Sequence, residues 1–183
     1  MANALTSEER KILLGIARNV IETYVRSGKI PLEKRDEAAL NVQQGCFVTI
    51  HRQGRLRGCI GVFTSRMPLW KQVTEMAIAA STRDPRFPAM TEEELADFSL
   101  EISVLSPLVK TADPHSVVVG THGIYLENGL RRGVLLPQVA TEYGWDRETF
   151  LKQTCRKAGL PTDAWQKPET TIYLFTAEVF GEA

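Results

Sequence analysis

The chain has 183 residues, 43% of them apolar, enough for a single domain over 1–183 with a sizeable core and room for two lobes. Lys+Arg and Asp+Glu stand at 22 each, which disfavours a general nucleic-acid binder while leaving room for a local basic patch. The opening Met-Ala-Asn-Ala-Leu-Thr-Ser-Glu-Glu does not read as a signal peptide, and no apolar run approaches the ~18 residues of a membrane span. Three cysteines (Cys46, Cys59, Cys155) make no disulfide framework, so a reducing cytoplasm is the expected setting.

The first element is a helix. Thr6 and Glu9 have capping-box spacing, Ile12, Leu13, Ile16, Ala17, Val20, Ile21, Tyr24 and Val25 keep one face apolar, and Gly28 stops it. Cys46–His51 then alternates, Arg52-Gln53-Gly54 reads as a three-residue turn, and Arg55–Val62 returns. With His51 opposite Arg55, the period of two puts Cys46, Val48, Ile50, Leu56, Ile60 and Val62 on a core face. Phe47, Thr49, His51, Arg55, Arg57 and Cys59 fall on a polar, cationic face, and a bulge at Gly58 would disturb this register near Cys59.

Pro68 opens a second helix, carrying Leu69, Val73, Met76, Ala77 and Ala80 on one side. The prolines of Asp84-Pro85-Arg86-Phe87-Pro88 forbid helix there. Thr91 and Glu94 cap a short helix before the strand Ser99–Leu105, whose Leu100, Ile102 and Val104 oppose Glu101 and Ser103. Asn128-Gly129 reads as a two-residue hairpin turn. Helices follow over Pro137–Tyr143 and Arg147–Ala158, and Thr170–Phe180 closes the chain as an apolar central strand. Residues 46–51, 55–62, 99–105 and 170–180 are expected in one mixed, largely antiparallel sheet with flanking helices, an α+β fold. Gly54-Arg55-Leu56-Arg57-Gly58 and Gly129-Leu130-Arg131-Arg132-Gly133 echo each other, each leaving a hairpin turn and leading to a helix. Either an old hairpin–helix duplication or chance accounts for that.

Leu56-Arg57-Gly58-Cys59-Ile60-Gly61 is the densest signal. Glycine in a strand marks a bulge or a close backbone approach, and here two of them bracket a thiol. Cysteine is ordinarily a small buried hydrophobe, yet a neighbouring cation such as Arg57 favours the reactive thiolate where access allows. Cys59 is therefore the candidate nucleophile. In this register His51 lies four strand positions away, roughly 13 Å, too far for an imidazole–thiol bond; His115 and His122 stay open as partners. Arg55 and Arg57 on one face suit bidentate capture of a carboxylate or phosphate, with backbone N–H groups near Gly58 and Gly61 completing an anion nest. Asp84 and Arg86 are turn residues or lining residues of the same site, and Glu101 is either exposed or the acidic partner of Arg57. No CxxC, HxxxH or HExxH spacing points to a metal, and no cofactor is implied.

LRGCIG, DPRFP at 84–88, EISVLSP at 101–107, LLPQVATEYGW at 135–145, FLKQTCRKAGL at 150–160 and the closing AEVF together resemble the AMMECR family, whose prokaryotic members are called AmmeMemoRadiSam system protein A. The resemblance spans residues 6–181. It implies an α+β fold with a cleft beside LRGCIG, and association with Memo-type and radical SAM proteins. The chain has no CxxxCxxC cluster motif, so it is not itself the radical SAM member. Two function classes stand. One is an enzyme or enzyme subunit holding a small anionic ligand beside Cys59. The other is a non-catalytic module that recognises a partner protein or RNA through the arginine hairpin. Membrane partners are not expected.

Overall fold

The computed structural model of the chain describes residues 4–31 and 34–182; Met1, Ala2 and Asn3 of the opening stretch lie outside them. Helix α1 (Ser7–Ser27) begins where the sequence places it, with the Thr6 hydroxyl and Glu9 carboxylate satisfying each other's backbone N–H groups, and ends at Gly28 in the left-handed region. After it come β1 (Cys46–Arg52), β2 (Arg55–Val62), α2 (Leu69–Thr82), β3 (Phe98–Leu105), β4 (Val109–Thr111), β5 (Gly123–Asn128) and β6 (Arg131–Leu135). The chain closes with α3 (Pro137–Glu142), α4 (Arg147–Lys157), β7 (Thr171–Phe175) and β8 (Ala177–Gly181).

The fold is α+β, but its strands form two four-stranded sheets where the sequence suggests one, and every pairing described among them is antiparallel. The expected strand 170–180 is the point of difference. It breaks at Thr176 into β7, central in one sheet, and β8, at the edge of the other. The chain divides accordingly into two compact units, Met1–Leu105 with Glu178–Ala183, and Ser106–Ala177.

In the first unit the sheet order is β2-β1-β3-β8. Val48, Ile50, Leu100, Ile102 and Val104 face α1 and α2, where Leu13, Val20, Leu69, Val73 and Ala77 complete a buried core. In the second unit the order is β4-β7-β5-β6, and Ile124, Leu126 and Ile172 pack on Phe150, Leu151 and Cys155 of α4.

The two orders are the same pattern. Each reads hairpin return strand, hairpin first strand, third strand, fourth strand, with a helix between hairpin and third strand. Only the fourth strands are exchanged along the chain, since β3 runs on into β4 and β7 runs on into β8. The echo at Gly58 and Gly133 has one physical basis. A Cβ at Gly58 would lie 2.2 Å from the Ala80 carbonyl oxygen of α2, and one at Gly133 would lie 2.5 Å from the Thr154 carbonyl oxygen of α4. Both glycines let a helix backbone lie directly on its strand. This supports the duplication over chance.

Candidate functional site

The first hairpin turns on Gln53 and Gly54, both at positive φ (51° and 72°), the pattern of a two-residue type I′ turn where a three-residue turn was expected. The register then slips. Arg52 pairs with Arg55 and His51 with Leu56, but Ile50 pairs with Gly58, leaving Arg57 as the extra residue of a bulge. Beyond it, Thr49 opposes Cys59 and Val48 opposes Ile60.

Three corrections follow from that one residue. Leu56 turns to the His51 side of the sheet and is 41% exposed, outside the core assigned to it. Arg57 leaves the face it was to share with Arg55. Its guanidinium meets Glu94 side-on (Nε–Oε1 2.7 Å, Nη2–Oε2 2.9 Å) and donates to the Pro88 carbonyl at 3.0 Å. Arg55 is exposed and makes no side-chain hydrogen bond or ion pair among the described residues, so the two arginines do not converge as a clamp. Finally, His51 lies only two positions from Thr49, which makes it a diagonal neighbour of Cys59 at about 7–8 Å between backbones, where four positions and 13 Å were expected.

The DPRFP segment lies along the free edge of β2. Cys59 donates its backbone N–H to Asp84 Oδ2 at 2.9 Å, and its carbonyl accepts from Arg86 Nη2 at 3.4 Å. Asp84 and Arg86 are themselves joined at 2.7 and 3.0 Å, so an ion pair stands where a neighbouring strand would. Asp84 is buried, and the Arg86 guanidinium, with desolvation opposing it and the Cys59 and Arg86 N–H groups assisting, holds its carboxyl well below the usual carboxylate range. Phe87 is half-buried between guanidiniums, with Arg57 at 5.8 Å and Arg86 at 5.5 Å from its ring centroid. The cation that adjoins the Cys59 peptide is thus Arg86.

The Cys59 side chain lies on the sheet face opposite α2. There the Thr49 hydroxyl donates to Sγ at 3.2 Å, and Glu101 pairs with Thr49 on the far side, giving a half-exposed row Cys59–Thr49–Glu101 across three strands. Glu101 is not the partner of Arg57; Glu94 is. The Thr91–Glu94 capping box marked Glu94 in the sequence, and its Oε2 does accept the Thr91 N–H at 3.0 Å, but the cap reading concealed its second task. Gly61 lies opposite Phe47, whose ring occupies the space a side chain would need. Of the three free cysteines, Cys46 and Cys155 are buried and Cys59 is not. Burial pushes the Cys46 thiol up to about 12 and raises that of Cys155. Among the described residues no group of three or more His, Cys, Asp or Glu could hold a metal ion. No described helix is long and apolar enough to cross a membrane.

The AMMECR1 family model matches residues 14–180, which takes in both hairpins, the DPRFP segment and the last strand up to Phe180. The chain belongs to the AMMECR1 family. A protein of Methanothermobacter thermautotrophicus is 45% identical over 187 residues, covering 97% of this chain and 96% of its own length. Protein MJ0810 of Methanocaldococcus jannaschii is 44% identical, with 97% and 92% covered. The crystal structure of the uncharacterized protein PH0010 from Pyrococcus horikoshii superposes with a TM-score of 0.87 at 40% identity, over 97% of this chain and 93% of that one. Family membership accounts for the fold and for the rare motifs in order, and it assigns no reaction.

Proposed function

We propose that the half-exposed row around Cys59 is a thiol site acting on a small electrophilic substrate with an anionic group, as an enzyme or enzyme subunit. The observation that carries this reading is the treatment of Cys59, whose peptide is fixed on both sides by the Asp84–Arg86 pair while its thiol stays open and accepts the Thr49 hydroxyl. A purely packing cysteine needs none of this. In the proposed roles Cys59 Sγ is the nucleophile and His51 receives its proton. Arg86, with 54% of its side chain exposed and no hydrogen bond from Nη1 among the described residues, draws the substrate's anionic group. Gly61 and Glu101 shape the same face, while Gly58 faces α2 and Arg57 is taken up by Glu94 and Pro88. Memo-type and radical SAM proteins are the partners the resemblance suggests.

The test is a timed iodoacetamide reaction across pH, with each cysteine followed by peptide mass spectrometry. Cys59 should label well before Cys46 and Cys155, and His51→Ala should slow it. Equal labelling of all three in the folded protein would remove the thiol reading. A second reading, a non-catalytic module for a partner protein or RNA, draws on the exposed Arg55 beside exposed Leu56 at the hairpin tip. With Arg55 making no side-chain bond among the described residues, this reading expects binding that Arg55→Ala abolishes and Cys59→Ala leaves intact.

A further inference from the structure

The duplication assigns an equivalent to every position of the Cys59 row. Counted back from its turn, Tyr125 has the place in β5 that Thr49 has in β1; it pairs with Val134 on one side and Tyr173 on the other. Glu127 stands in the place of His51. The second sheet therefore carries no thiol. Its face opposite α4 presents two half-exposed tyrosines, directly opposed on the two central strands, with rings edge-to-face at 5.7 Å.

What surrounds the pair is specific. Tyr173 donates its hydroxyl to Glu127 Oε1 at 3.1 Å and Tyr125 to Oε2 at 3.5 Å, so both rings are held by their tips. Lys110, opposite Tyr173 on edge strand β4, and Arg132, opposite Glu127 on edge strand β6, place an exposed cation on either side of the rings. Arg132 is only loosely paired, at 4.0 Å from Glu127 and 66% exposed. Aromatic faces on the central strands of a four-stranded antiparallel sheet, with cations on both edges, match the requirements of a single nucleic-acid strand: bases stack in the middle and phosphates are met at the sides. Protein interfaces are also rich in tyrosine with a polar rim, so it is the cations on both edges that favour a nucleic-acid strand here.

We propose that the Tyr125–Tyr173 face of the second sheet is a stacking platform for a short single-stranded RNA segment, with Lys110 and Arg132 meeting its phosphates. The platform lies on the second unit's sheet, and the Cys59 row and the arginine hairpin on the first unit's. Two cations on the face limit the platform to a few nucleotides, with a salt dependence set by those two contacts.

Fluorescence anisotropy with a fluorescein-labelled eight-nucleotide RNA at low salt tests it. Saturable binding is expected, about tenfold weaker in Tyr125→Ala or Tyr173→Ala. Tyr173→Phe keeps the stacking face and should bind nearly as the native chain does. Lys110→Glu and Arg132→Glu change only exposed side chains and should remove most binding; with two phosphates met, log K should fall with log salt at a slope of about −1.4. No saturable binding, or binding indifferent to the two alanine and the two glutamate changes, overturns the proposal and leaves the face to a protein partner. So does loss on Arg55→Ala alone, which would move the RNA to the first hairpin. Binding of a mononucleotide as tight as that of the strand also overturns it.

Discussion

Asp84 shows how one residue can be placed by chemistry that its own sequence neighbourhood conceals. Asp before proline reads as a turn residue, and its Oδ1 does accept the Arg86 N–H at 3.0 Å in such a turn. The second oxygen reaches the Cys59 N–H, 25 residues away in sequence. A carboxyl held low in the folded state contributes stability in full above its unfolded value, about 3.9, and loses it as pH falls through the lower folded value. Asp84→Asn can still accept the Cys59 N–H through its amide oxygen, but it lacks the charge. The stability gap between native and Asp84→Asn, from urea unfolding, should be constant above about pH 5 and close as the pH drops below 4. A gap unchanged from neutral pH to about pH 3 would mean that the ion pair contributes nothing. Asp84→Ala also strips a part-buried N–H of its acceptor and should cost about 1–3 kcal/mol more at neutral pH.

At the scale of elements, helix–strand contact turns on Gly58 and Gly133. In each case the obstructing atom is backbone, which yields less readily than a side chain, so Gly58→Ala and Gly133→Ala should each destabilise by about 1–3 kcal/mol, measured by chemical unfolding. Gly15→Ala is the contrast. Nothing lies within 4 Å of its added Cβ in α1, and alanine should stabilise that helix by up to about 1 kcal/mol. The helices were legible because capping residues and apolar periodicity are local signals, as at Thr6 and Gly28. The core facing of Val48, Ile50, Leu100 and Ile102 was legible for the same reason. The bulge was not. Alternation by twos carries no mark for one extra residue, and what holds Arg57 out of the ladder is Glu94, on another segment. That single slip hid the closeness of His51 to Cys59 and turned Leu56 to the wrong face. Likewise the second turn falls on Gly129-Leu130, one residue later than Asn128-Gly129, with Asn128 completing β5 and bonding Thr170 at 3.0 Å.

The whole chain leaves its first unit once and returns once, and both passages are short. After β3, Ser106 leads toward β4; after β7, Thr176 leads to β8. These two residues bond each other, Ser106 N–H to the Thr176 carbonyl and Thr176 N–H to Ser106 Oγ, both at 2.9 Å. Thr176 has no side-chain feature that announces a change of sheet, which is why 170–180 reads as one strand. The return matters energetically because β8 supplies more than an edge. Glu178 accepts from Leu5 N–H and Arg10, Glu182 accepts from Arg18 and Leu100 N–H, and Phe180 is buried in the first core. Truncation after Thr176 removes all of these and bares the edge of β3. Loss of the Phe180 side chain alone is worth about 3–5 kcal/mol, so the truncated chain should lose at least about 3 kcal/mol in its first unit. Hydrogen exchange gives the decisive pattern. Amides of β1 and β3 should lose protection, while the β5–β7 ladder, whose partners all lie within 106–177, should keep most of its own. Equal loss in both ladders would show that the two units unfold as one body, and an unchanged first ladder would show that β8 is dispensable to the sheet it completes.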